Sequence, residues 1–135
     1  MIIIQITAGR EYTDDETIRN AIDAEVNTHG ARNIIIRHGN ARGGDRKAHL
    51  QALLLGIPKE NIQSRPVEYY GYSWERDGLN AGNLRNAAML DEEPQPDKVL
   101  AFPDPQSRGT WNMVRLAEER GIPTDVHEQF EDSNR

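Results

Sequence analysis

Three short stretches carry residue types that handle a small anion. Thr7-Ala8-Gly9-Arg10 follows an isoleucine run, His38-Gly39 leads into Gly43-Gly44-Asp45-Arg46, and Phe102-Pro103 leads to Arg108-Gly109-Thr110. In each, glycine lets a ligand approach the backbone closely, and arginine or a hydroxyl supplies donors suited to phosphate. Where such a stretch opens a helix, the first-turn N–H groups are unpaired and carry partial positive charge, which adds to anion affinity. In the second stretch Asp45 either caps the following helix or holds a ribose hydroxyl. A tight turn with an ordinary cap is the alternative for Gly43 to Asp45, and an ordinary N-cap is the alternative for Thr110.

Other residues fit the same chemistry. Trp74 follows Tyr69, Tyr70 and Tyr72 in a predicted loop, where it can stack on a base; covering a sheet edge is the alternative for the tyrosines. Arg85 and Asn86 lie in the first turns of a predicted helix, aimed at the site or else on a solvated face. His38 and His49 are too isolated to make a metal centre, and no metal is assigned. The chain has neither G-x-x-x-x-G-K-[ST] nor G-x-G-x-x-G after its first isoleucine run, so the usual signatures of ATP hydrolysis and dinucleotide binding are missing.

These stretches need elements to position them. Ile2, Ile3, Ile4 and Ile6, and then Ile34 to Ile36, read as strands buried on both faces. Between them, Thr13 and Glu16 have capping-box spacing, and Ile18, Ala21, Ile22 and Val26 mark a helical face that stops near Gly30. A second helix carries Ala48, Ala52 and Leu55 up to Gly56 and Pro58. Ile62 to Tyr70, with Pro66 inside it, predicts an outer strand, and Gly71 to Gly78 a loop. A helix over Leu79 to Leu90, a strand over Val99 to Phe102, a helix ending at Gly121 and a last strand over Thr124 to His127 complete the chain. Strands alternating with helices predict an α/β fold: one Rossmann-like, doubly wound domain with a mostly parallel sheet of about five strands flanked by helices. That domain spans residues 1–127, and residues 128–135 form a polar, frayed tail. Ligands of such sheets sit beyond the carboxyl ends of the strands.

Composition sets the outer limits. The 135 residues suit one domain, since a domain takes roughly 100–200. No cysteine is present, which excludes disulfides, cysteine-held metals and thiol nucleophiles. No apolar run is longer than that of Met1 to Ile4, far too short to span a bilayer, so no membrane association and a cytoplasmic location are expected. The net charge of −6 makes duplex nucleic acid an unlikely partner, yet residues 32–47 carry Arg32, Arg37, Arg42, Arg46 and Lys47 against Asp45 alone. Small anions therefore remain the expected ligands.

Taken in order, Thr7-Ala8-Gly9-Arg10, the His38 to Arg46 loop, Trp74, Ala81-Gly82-Asn83-x-Arg85-Asn86-x-x-Met89 and Phe102-Pro103 to Arg108-Gly109-Thr110-x-x-Met113 resemble the YspA-like branch of the SLOG superfamily, over about residues 2–126. The resemblance implies a Rossmann-like domain that binds a nucleotide or nucleotide-derived ligand in a prokaryotic or phage setting. It makes Gly9, Arg10, Gly43, Gly44, Asp45, Gly109 and Thr110 the phosphate and ribose cradle, with Trp74 and Arg85 near the base or sugar; the expected ligand-binding set also takes in Thr7, His38, Gly39, Arg46, Asn86 and Arg108. It also implies a homodimer and no cofactor.

The sequence departs from that pattern at three points. Ala8 replaces a glycine, Asp104-Pro105-Gln106-Ser107 replaces paired glycines, and Met113 stands where LOG-type phosphoribohydrolases carry a glutamate. A thioether cannot act as acid or base, so cleavage of an N-glycosidic bond would need Asp45 as substitute, with Arg85 on the phosphate. The leading expectation is accordingly a binding protein, a sensor or sequestering protein. A phosphoribohydrolase-like enzyme acting on a nucleoside monophosphate or NAD-like substrate is the alternative, and a DprA-like single-strand binder the third reading.

Overall fold

The structure, a computed structural model, describes residues 1–130. Five parallel strands form one sheet in the order β3-β2-β1-β4-β5, with β1 Ile2–Ala8, β2 Ile34–His38, β3 Ile62–Ser64, β4 Lys98–Phe102 and β5 Thr124–Val126. Helices α1 Asp15–His29, α2 Gly44–Leu54, α4 Asn80–Asp91 and α5 Arg108–Glu119 provide the crossovers, and α3 Trp74–Asp77 is a single turn. The architecture is the α/β, Rossmann-like single domain expected of the sequence.

Pleating explains the two cores. Ile4, Ile6, Ile34 and Ile36 point to one face, where Ile18 and Ile22 of α1 and Ala48 and Ala52 of α2 close over them. On the other face Val99 and Ala101 meet Met89 and Leu90 of α4 and Met113, Val114 and Ala117 of α5. Each large aliphatic side chain buried in this way contributes roughly 1.5–3 kcal/mol, enough to fix the register of a central strand buried on both faces. Met113, the residue in the glutamate position of the resemblance, is wholly buried core.

Several local expectations are corrected. The cap of α1 is Asp14, whose Oδ1 accepts from Thr17 N at 3.1 Å, so the Thr13–Glu16 capping box does not form. Thr13 instead donates to Gln129. The strand expected over Ile62 to Tyr70 ends at Ser64, because Pro66 removes a donor and Val67–Tyr70 coils into a 3-10 turn. The packed chain also runs past residue 127: Gln129 N donates to Pro103 O at 2.8 Å, and its Oε1 accepts from Thr13 N at 2.8 Å. The remainder of the expected tail, residues 131–135, lies outside the described residues.

Candidate functional site

The strand order reverses between β1 and β4, so the loops after these strands bound the crevice where a parallel sheet offers its ligand site. Here that crevice is filled from within. A Cβ on Gly9 would overlap the carboxylate of Asp104, a residue only 2% exposed. Asp104 Oδ2 accepts from Glu11 N at 2.9 Å and Oδ1 from Gln106 N at 2.7 Å, so one side chain joins the two loops. Gly9 N donates to Phe102 O at 2.9 Å, which closes the same seam through the backbone.

The loop after β2 is locked to the loop after β1 just as directly. Gly44 N donates to Gly9 O at 3.1 Å, and a Cβ on Gly44 would overlap Ala8. A Cβ on Gly43, at φ 76°, would overlap the Arg10 carbonyl. The paired glycines therefore admit the neighbouring loop of the protein, where phosphate approach was expected. Asp45 does not cap α2 through its side chain. Its Oδ1 accepts from Ala8 N at 2.9 Å and its Oδ2 from Gly39 N and Ala41 N, both at 3.2 Å. Burial pushes this carboxyl up to about 6, against the pull of those N–H groups and of the Arg85 guanidinium.

His38 closes the far side of this loop. It is completely buried, and its Nε2 lies 2.8 Å from Nδ1 of His49, while its Nδ1 accepts from Asn40 N at 2.9 Å. Accepting at Nδ1 puts the proton of the neutral ring on Nε2, so His38 donates to His49. Burial, with help from His49 and Arg85, holds His38 down at about 4. No cluster of three or more potential ligands for a metal occurs among the described residues.

What remains open lies on the α4 side of the rim. Arg85 Nη1 donates to Gly39 O at 2.8 Å, and the guanidinium covers Gly39 so closely that a Cβ there would sit 2.8 Å from Cζ. The next residue, Asn86, donates to Gly109 O and to Asn112 Oδ1, both at 3.1 Å. Consecutive residues of α4 thus reach the ends of β2 and of α5, bridging the end of β1, where Thr7 is buried. The Trp74 ring lies over Gly82, 3.3 Å from where a Cβ would stand, and Arg85 Nη2 is 3.9 Å from the same point. Trp74 and Arg10 are exposed, and Arg85 is half-buried.

Of the remaining predicted residues, Arg46 and Arg108 point to solvent, Thr110 is buried within α5 with Ser107 in the cap position, and Gly109 faces open space. The positive stretch of residues 32–47 is partly consumed inside the protein. Arg37 is fully buried on β2, donating to Gln63 Oε1 and to the carbonyls of Met89, Glu92 and Pro94, with the Glu92 carboxylate at 3.3 Å. Lys47 is held by Asp15 and the Tyr12 carbonyl. The ion cluster of Arg37, Arg65, Glu92 and Tyr70 and the Asp104 clasp escaped sequence reasoning, since neither follows from a local pattern.

Fold and rim together define a single-domain, Rossmann-like α/β protein whose switch-point crevice is closed and whose exposed donors gather beside it. The chain is 34% identical over 120 residues to the Gene 61 protein of Mycobacterium phage D29, an alignment that covers 89% of this chain and 91% of the phage protein. It belongs to the family of that phage protein, in agreement with the expected prokaryotic or phage setting. No protein-family model matches the chain. No helix among the described residues is long and apolar enough to cross a membrane.

Proposed function

We propose that the protein binds a nucleotide or nucleotide-derived small ligand at the rim formed by Gly39, Arg85 and Trp74, acting as a sensor or sequestering protein in the cytoplasm. The observation that carries this reading is the state of Arg85. Its Nη1 is committed to Gly39 O and its Nε approaches Asn86 Oδ1 at 3.4 Å, while Nη2 has no acceptor among the described residues and borders the same surface over Gly82 as the edge of the Trp74 ring. A guanidinium already fixed by the protein loses little freedom on meeting phosphate, and an adjacent indole face offers stacking for a base.

Binding is favoured over cleavage of an N-glycosidic bond because both oxygens of Asp45, the carboxylate that would have to act, are taken up by backbone N–H groups away from solvent. The resemblance to SLOG domains supports a nucleotide-derived ligand and a homodimer. Mass spectrometry of small molecules released from the purified native protein tests the reading. A phosphorylated nucleoside derivative that is retained by the native chain and lost from Arg85→Gln is expected. Equal retention by both proteins would contradict it.

A further inference from the structure

Helix α5 carries a second group of donors outside that rim. Arg108, Trp111, Asn112 and Arg115 recur at i, i+3, i+4 and i+7, so they share one helical face, where they border a cleft of about 620 Å³ together with Gln106 and Ser107. Trp111 is 41% exposed, and Arg108 and Arg115 are exposed with no carboxylate within ion-pair distance among the described residues. From Pro105 to Ala117 the chain holds these two arginines and no acid; Glu118 and Glu119 end the positive stretch.

Asn112 supplies the second, independent indication. It is only 8% exposed, its Oδ1 accepts from Asn86, and its Nδ2 has no acceptor among the described residues although the side chain borders the cleft. That nitrogen is not among the buried side-chain atoms left without a partner, so it reaches solvent at the cleft and is available to donate to a ligand there. Both charged side chains that border the cleft are therefore cationic and stand beside an aromatic surface, with Glu118 and Glu119 following on the next turn. The matching ligand carries oxygen acceptors with negative charge next to a flat ring.

We propose that the outer face of α5 is a binding site for a nucleotide unit, its base stacked on Trp111 and its phosphates held by Arg108 and Arg115, with Asn112 Nδ2 donating to the sugar or base. Seven residues at 1.5 Å rise place the two arginines about 10 Å apart along the helix, on either side of the indole. That spacing suits a strand that threads phosphate, base and phosphate past the helix better than a free mononucleotide. Stacking on an aromatic ring flanked by cations recurs in sequence-tolerant binding of single strands.

Fluorescence of Trp111 in Trp74→Phe reads this site alone, because the only other tryptophan is removed. A short oligothymidylate should quench it saturably, and affinity should fall as salt rises. In that background Arg108→Gln or Arg115→Gln, both exposed positions, should weaken binding about tenfold with an unchanged circular dichroism spectrum, while Arg19→Gln, an exposed position on α1, leaves it intact. Binding of the oligonucleotide well above that of thymidine monophosphate identifies a strand as the source, and equal binding identifies the free nucleotide. Absence of quenching by both, or quenching unaffected by Arg108→Gln and Arg115→Gln, would overturn the site. Because Arg85 belongs to the other rim, failure here leaves the rim reading standing, and the reverse also holds.

Discussion

His38 and Asp45, on either side of the loop after β2, titrate in opposite senses. His38 has a folded value of about 4 against an ordinary 6.5, so the unfolded chain binds the proton more readily between these values, and the stability that His38 contributes is lost as pH falls through that window. Asp45 is raised from 3.8 to about 6, so its contribution is present at low pH and lost as pH rises through 6. Each is worth ~3 kcal/mol, and between pH 4 and 6 they nearly cancel. Denaturant titrations should separate them. Relative to the native chain, Asp45→Asn should lose ~3 kcal/mol as pH drops from 6 to 4, and His38→Gln should gain a similar amount. Parallel pH profiles for native and variant chains would refute the assignment.

Gly44 makes a second point at this scale. The sequence reading places Gly44 where a phosphate would approach the backbone. The structure instead packs Gly44 against Ala8 and the Gly9 carbonyl, so Gly44→Val should cost ~1–3 kcal/mol or more in chemical unfolding, through overpacking of a loop junction. The residue type was legible and its partner was not, because a glycine pair signals close approach without saying what approaches.

Among elements, α4 holds the rim together. Its first half brings Arg85 to the end of β2 and Asn86 to the start of α5, and its last residues are fastened to β2 by Arg37. Burial lowers the Arg37 pKa, and Glu92 opposes that shift. Burial likewise works against the Glu92 carboxylate, but Arg65, Tyr70 and Arg37 outweigh it and keep Glu92 below the usual range. Removing one member of such a cluster strands the others. Arg37→Ala should lower stability by ~3–5 kcal/mol, measured by urea unfolding, whereas Arg46→Ala on the exposed face of α2 should stay within ~0.5 kcal/mol.

The alternation of isoleucine runs with apolar helical faces made every major element legible, because buried parallel strands and amphipathic helices leave different periods in a sequence. Boundaries depended on finer chemistry. Asp14 outcompeted Thr13 as a cap, and Pro66 cut short the outer strand. Of the stripe from Arg108 to Arg115 the sequence reading drew only on Arg108, because the exposed face of a helix leaves no local signal of what it meets.

In the whole molecule, the crevice that doubly wound sheets offer to ligands is occupied by Asp104, and the exposed donors have moved to its flank. Asp104→Ala should free the Glu11 and Gln106 N–H groups, cost ~2 kcal/mol and speed amide exchange in the loops after β1 and β4 above that elsewhere. An acidic chain of net charge −6 can still take up an anion through a local cation such as Arg85. The most direct test of this account is a two-dimensional ¹H–¹⁵N NMR titration of the native chain with nucleoside mono- and diphosphates. Saturable shifts should centre on the amides of Gly39 to Ala41 and the Arg85 Nε–H and vanish in Arg85→Gln. A titration that moves none of these signals, or moves them equally in Arg85→Gln, would contradict it.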